Sequence, residues 1–266
     1  MSLRKDKTII FENKPKIKSY ASVVGKKEKE GPMSAEFDYA YSDDTFGQKS
    51  FEEAESQIQR LSIIAALKKG NLKPQDIDCI FAGDLLNQCI GSSFGLMDLE
   101  IPFVGLYGAC STMALGLINA SVYVNNGAAS KAAAVTSSHF CSAERQYRFP
   151  LEYGAQRPQT SQWTVTGGGT VILSSEEEGN MPYIKSATIG RIQDLGVKDA
   201  NNMGAAMAPD DVKIRPYPRH EGMVLFYTQI QYLRGFRALF KDFQDIKKQR
   251  NLGRKTNLPS ITFSQR

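Results

Sequence analysis

Between Glu52 and Lys69 the apolar residues recur at helical spacing. Ala54, Ile58, Leu61, Ile64 and Ala65 fall on one stripe with Leu67 beside it, and Gly70 closes the run, so the period predicts an amphipathic helix. Met113–Asn125 is apolar and rich in Ala and Gly, which predicts a second, deeply packed helix, and a short one is expected over 91–99. Between and around these lie apolar runs of strand length: Lys7–Glu12, Asp78–Ala82, Phe103–Tyr107, Ala132–Ser137, Thr170–Ser174 and Tyr183–Arg191. The last has the alternation of a half-buried strand. Residues 13–49 carry Lys, Gly, Pro and Asp with little periodicity and read as a long loop or insertion, and 140–165 read as a long loop lying over a site. Strands that alternate with helices give an α/β class with a largely parallel sheet.

Composition narrows this picture. The 266 residues suffice for one large domain or two small ones, and 41% hydrophobic with 23% charged residues is ordinary for a globular chain. No stretch approaches the roughly 18 apolar residues of a membrane span, and the polar, basic start Met1–Thr8 has no apolar run behind it. With neither a span nor a signal peptide, the chain is expected to be cytoplasmic or to meet a membrane only as a peripheral protein. Cys79, Cys89, Cys110 and Cys141 form no CxxC pair, and the only histidines are His139 and His220, so no disulfide framework, metal or cofactor is expected. The net charge of +5 is uneven: residues 210–266 hold 12 basic and 5 acidic residues, the rest 21 and 23. A slightly acidic body leaves no electrostatic footprint for nucleic acid.

The sharpest chemical feature is Phe103–Gly116, FVGLYGACSTMALG. A strand turns at Gly108 and Ala109, a helix starts at Ser111 or Thr112, and Cys110 sits at the turn, where small neighbours relieve crowding. A helix N-terminus aimed at the sulfur favours thiolate and attracts a carboxylate; the plainer reading is a buried, inert cysteine. Cys110, His139 and the pair Asp84 and Asn87 each follow a different strand, and parallel strands bring such ends to the edge where α/β proteins bind ligands. Taken alone, His139 reads as a satisfied or surface histidine. Gly167–Gly169 lacks the spacing and following helix of a phosphate loop and reads as a place where backbones crowd together. Arg145 and Arg148, interleaved with aromatics in Glu144–Tyr153, read as part of a covering loop, where guanidinium groups clamp carboxylates in a bidentate way.

Several passages resemble the stage V sporulation protein AD family of endospore-forming bacteria. They are Lys27–Pro32 (KEKEGP), Phe81–Gln88 (FAGDLLNQ), Gly108–Thr112 (GACST), Thr136–His139 (TSSH), Ala143–Gln146 (AERQ) and Met203–Pro209 (MGAAMAP). The likeness runs from about residue 6 to 209. It implies a thiolase-like fold, a homodimer paired through the edge strand at Phe103–Tyr107, binding of dipicolinic acid (pyridine-2,6-dicarboxylic acid), free or as its calcium chelate, and membrane channel proteins of the spore inner membrane as partners. Cys110 takes the position of the nucleophile in acyl-transferring relatives. A ligand site of Cys110, Ser111, Thr112, His139, Asp84, Asn87, Arg145 and Arg148 is expected, with Asp84 orienting a donor or holding a cation. The competing reading is a thiolase or ketoacyl-synthase acyltransferase using Cys110. In that fold the His and the Asn or second Cys that complete the catalytic set come from a second half, so the expectation is no enzyme.

Such a fold is two similar halves. The expected organisation is a complete first half over 1–182, the start of a second over 183–209, and the rest of that half largely absent. Residues 210–266 form a basic, aromatic tail that reads as frameshifted, or over 224–243 as a basic amphipathic helix for a membrane or partner.

Overall fold

The computed structural model describes residues 2–5, 7–141, 164–176, 181–190 and 223–227. The elements that build it are β1 (Ser2–Lys5), β2 (Thr8–Phe11), β3 (Lys16–Val24), α1 (Lys26–Lys29), β4 (Tyr39–Ala40), α2 (Phe51–Lys69), β5 (Cys79–Gly83), α3 (Ile90–Leu96), β6 (Phe103–Gly105), α4 (Thr112–Asn125), β7 (Lys131–Ser138), β8 (Gly167–Ser174), β9 (Ile184–Ile189) and β10 (Met223–Tyr227).

A six-stranded sheet has the order β4-β3-β8-β7-β5-β6. The pairs β3/β4, β5/β6 and β5/β7 are parallel, while β8 runs antiparallel to both β3 and β7. The expected largely parallel sheet is therefore mixed, with one reversed strand near its middle. Successive side chains of a strand face opposite ways, and the core divides accordingly. Cys79, Phe81, Ala132 and Ala134 pack with α4, while Ile80, Ala82, Ala133 and Val135 pack with α2 and α3. Behind α4 a second sheet, order β1-β2-β9-β10, adds Phe11, Ile184 and Ala187 to the first of these clusters. Alanines along β7 let a helix lie close on either side; Gly116 of α4 does the same, since a Cβ there would meet Ala134 Cβ at 3.1 Å.

Helix α2 begins at a complete capping box: Ser50 Oγ accepts the Glu53 N–H at 3.1 Å, and Glu53 Oε2 accepts the Ser50 N–H at 3.2 Å. Its buried stripe is rotated from the one that the apolar residues suggest. Ile64 is 42% exposed, whereas Glu55, Gln59 and Ser62 are buried alongside Ile58 and Ile63. The reading of 13–49 as loop also needs correcting, because it contains the nine-residue strand β3. Its Lys and Ser residues mask the apolar set Ala21, Val23 and Val24 that the sheet buries. The apolar run at Phe103–Tyr107 does not form an interior strand. Its strand β6 is the sheet's outer edge, and all three residues are exposed.

The tail, expected to lack α/β order, contributes β10, which pairs parallel with β9. The helix anticipated over 224–243 thus opens on residues that form a strand; its remainder lies outside the described residues.

Candidate functional site

The turn after β6 is built by short side chains. Ser111 N–H and Ser111 Oγ both donate to the Gly108 carbonyl, at 3.0 and 2.6 Å. Thr112 Oγ1 donates to Ala109 O at 2.8 Å and accepts the Gly108 N–H at 3.2 Å. A single 3-10 turn, Ala109–Ser111, precedes α4, so helical winding starts before Cys110 rather than after it. Ala109 holds φ at +47°, the left-handed region that costs a Cβ-bearing residue about 1–2 kcal/mol. This wound, strained turn leaves the Cys110 side exposed while Thr112 is buried. The buried, inert cysteine is thereby set aside. The Ser111 and Thr112 hydroxyls, expected at a ligand, instead close the turn.

Gly83 fixes the elbow against β5. A Cβ there would collide with the Leu106 carbonyl oxygen and come within 2.7 Å of Thr112 Cγ2. Leu106 N–H meanwhile donates to Ala82 O at 2.8 Å. Asp84, next in the chain, is buried. Its Oδ1 accepts the Leu86 N–H at 2.8 Å, and its Oδ2 accepts the Ser92 N–H at 2.7 Å and the Ser92 hydroxyl at 2.6 Å. Three donors engage the carboxylate, which corrects the expectation of a bridging cation there; what it orients is Ser92. Asn87 opens a 3-10 turn, Asn87–Cys89, in which Gln88 and Cys89 take φ of +60° and +53°; its side chain lies outside the described residues. Cys89 donates to Leu106 O at 3.3 Å, and burial, with Asp84 nearby, raises its thiol pKa.

His139 ends β7 at the same edge, yet it is fully buried. Its Nε2 lies 2.7 Å from the Asp44 carbonyl and its Nδ1 accepts the Cys141 N–H at 3.2 Å, so the proton sits on Nε2. The ring packs on Phe51 and Phe140 at centroid distances of 4.9 and 5.1 Å. The expected ligand contact by His139 gives way to a positioning role, because both nitrogens hold backbone. Around it, Gly25 N–H donates to Thr166 O at 2.8 Å, Thr166 N–H to Glu28 Oε1 at 3.1 Å, and Phe140 N–H to Thr166 Oγ1 at 3.1 Å. Glu28 of the KEKEGP passage thus ties α1 to the start of β8.

Gly167–Gly169 lie within β8, and two of the three sit against close neighbours. A Cβ on Gly168 would meet the Ile58 side chain at 2.6 Å and the Ile58 and Thr136 carbonyl oxygens at 3.3 Å, and one on Gly167 would meet Val23 O at 3.0 Å, whereas one on Gly169 would meet only Met113 Cε at 3.4 Å. Arg145 and Arg148 lie outside the described residues. Among the described residues no group of three or more His, Cys, Asp or Glu is placed to hold a metal ion, and no helix is long and apolar enough to cross a membrane.

Sequence reasoning missed a buried polar chain beneath this edge. Gln59 Nε2 donates toward Gly83 O, Ser92 Oγ and Ser137 Oγ at 3.1, 2.8 and 3.0 Å, and Ser137 Oγ donates to Glu55 Oε1 at 3.2 Å. Asp84, Ser92, Gln59, Ser137 and Glu55 therefore link α2, α3 and the ends of β5 and β7. The available signal was Glu55, Gln59 and Ser62 at helical spacing inside an otherwise apolar helix.

The mixed sheet with its reversed strand, the helix sandwiched between two sheets and the cysteine elbow define a layered α/β protein. The family model for stage V sporulation protein AD matches residues 5–216, so the chain belongs to that family. It is 44% identical over 209 residues to stage V sporulation protein AD of Bacillus subtilis (strain 168), a match that takes in 79% of this chain and 61% of the relative. Solved structures that it resembles include 3-oxoacyl-[acyl-carrier-protein] synthase III of Aquifex aeolicus VF5, with 14% identity, a TM-score of 0.41 and coverage of 62% of this chain and 55% of that one. The corresponding synthase of Xanthomonas oryzae pv. oryzae gives 12%, 0.42, and 62% and 57%. The chain thus spans about three fifths of the length of these proteins.

Proposed function

We propose that this chain binds dipicolinic acid and assists its transport into the forming spore, working with membrane channel proteins at the spore inner membrane. The observation that carries the reading is the exposed Cys110 within the first turn wound into α4, in a member of the sporulation family. The start of a helix favours a carboxylate by about 0.3–1 kcal/mol when exposed and more when partly buried. Arg145, Arg148 and Asn87 are the groups proposed to hold the ligand, the arginines by clamping the second carboxylate; Asp84 and His139 hold the strand ends in place. The free acid and its calcium chelate share this chemistry.

Acyl transfer needs a base beside the nucleophile. His139 is buried with both ring nitrogens engaged, so it does not serve as that base, and catalysis at Cys110 would need a base from elsewhere in the fold. The chain divides in this reading into a first half, 1–182, the start of a second, 183–209, and a basic tail, 210–266. A second copy pairs across the exposed β6 edge, where Phe103, Val104 and Tyr107 are exposed apolar side chains. The test is protection: dipicolinate should slow alkylation of Cys110 and benzoate should not. Equal alkylation with and without dipicolinate would remove Cys110 from the site, and release of CoA from acetyl-CoA that vanishes in Cys110→Ala would favour the enzyme.

A further inference from the structure

We infer that the strand Met223–Tyr227, which lies beyond the family-matched residues 5–216, is a self-supplied cover for the open edge of β9 and the outer side of α4. The second sheet ends β2-β9-β10, and β10 is the strand beside β9 away from β2. Ile189 N–H donates to Lys7 O at 3.0 Å, and Ala187 stands opposite Ile9. Backbone amides of a strand alternate in direction, so Ala187 and Ile189 turn toward β2 while Ser186 and Thr188 turn toward β10. Without a neighbour those two amides would form an unpaired edge, which templates association with other chains.

Residues Ser186, Ala187, Thr188 and Ile189 lie opposite Val224, Leu225, Phe226 and Tyr227. By parallel-ladder geometry the Leu225 amide falls between the Ser186 and Thr188 positions. The sequence suits the place. Met-Val-Leu-Phe-Tyr is a continuous apolar run, the pattern of a parallel strand covered on both faces rather than of a solvated tail. Helix α4 lies against β10 as well as β2, so the strand adds cover on the side of α4 turned away from the large sheet. The stretch from 190 to 222 exceeds the dozen or so residues that a parallel crossover needs, so the same chain reaches the edge in cis.

Residue-resolved amide exchange on the full chain tests this. Ser186 and Thr188 should exchange as slowly as Ala187, Leu225 and Tyr227 should be protected, and the protection should not change on dilution. In Leu225→Pro, Ser186 and Thr188 should exchange at least about tenfold faster, while Ala187, Ile189 and the β7 amides of Ala132–Val135 keep their rates. Free exchange of Ser186 and Thr188 in the unaltered chain would overturn the inference whether or not the proline variant folds. Protection lost on dilution would overturn it too, by showing the strand to come from a second molecule.

Discussion

Substituting Gly83 by Ala tests the elbow's packing at one atom. The added methyl would overlap the Leu106 carbonyl oxygen, stand 3.0 Å from its carbon and come within 2.7 Å of Thr112 Cγ2. Two of these three neighbours are backbone, so no rotamer change relieves the clash. The end of β5 must instead move away from the 106–112 segment, which breaks the 2.8 Å Leu106 N–H to Ala82 O bond. Overpacking of this kind costs about 1–3 kcal/mol and the lost hydrogen bond about 1 kcal/mol more. A total near 3 kcal/mol corresponds to a fall in melting temperature of roughly 6–12 °C for a domain of this size. Gly105→Ala is the control, because a Cβ there makes ordinary contacts with the Phe103 ring at 3.5 Å and Cys89 Sγ at 3.8 Å, and it should stay within about 0.5 kcal/mol of wild type. Chemical denaturation with thermal melts reads both variants. A Gly83→Ala protein as stable as Gly105→Ala would refute the close approach of β5 to the elbow.

Two further outcomes follow from the same geometry. With a thiol reagent near pH 8, Cys110 should give the fastest phase, absent in Cys110→Ala, and the half-buried Cys141 a slower one. Burial, with Asp78 adding, pushes Cys79 up to about 11, and Cys89 is also raised, so both should react only on unfolding; the fastest phase surviving in Cys110→Ala on a Cys141→Ser background would contradict the placement. Ser50→Ala removes one arm of the α2 capping box and should destabilise by about 1 kcal/mol, or roughly 2–4 °C in melting temperature; no change would mean that the box does not form in solution.

The parts legible in the sequence were those fixed by local pattern. Helix α2 ends at Gly70 as read and β5 closes on Gly83; the cysteine elbow lies where the small residues put it. Tertiary partners decided the rest. Strand β3 was hidden because its Lys and Ser residues stand among apolar ones that only the sheet buries. The reversed direction of β8 depends on a connection, not on Gly167–Ser174 themselves. The phase of α2 was misjudged because Glu55 and Gln59 are buried by bonding to Ser137 and Ser92, far along the chain. His139 was placed at the correct edge, but its neighbours Asp44, Phe51 and Phe140 give it a structural task that no local motif announces.

The central claim is a site for a small aromatic dicarboxylate at the elbow. Calorimetric titration of dipicolinate and benzoate into wild type, Cys110→Ala and Arg145→Ala tests it most directly. A second carboxylate held by charge-assisted hydrogen bonds should favour dipicolinate over benzoate by about tenfold or more. Arg145→Ala should erase most of that preference, and Cys110→Ala should weaken dipicolinate binding. Dipicolinate binding no better than benzoate, or both variants binding it like wild type, would contradict the account.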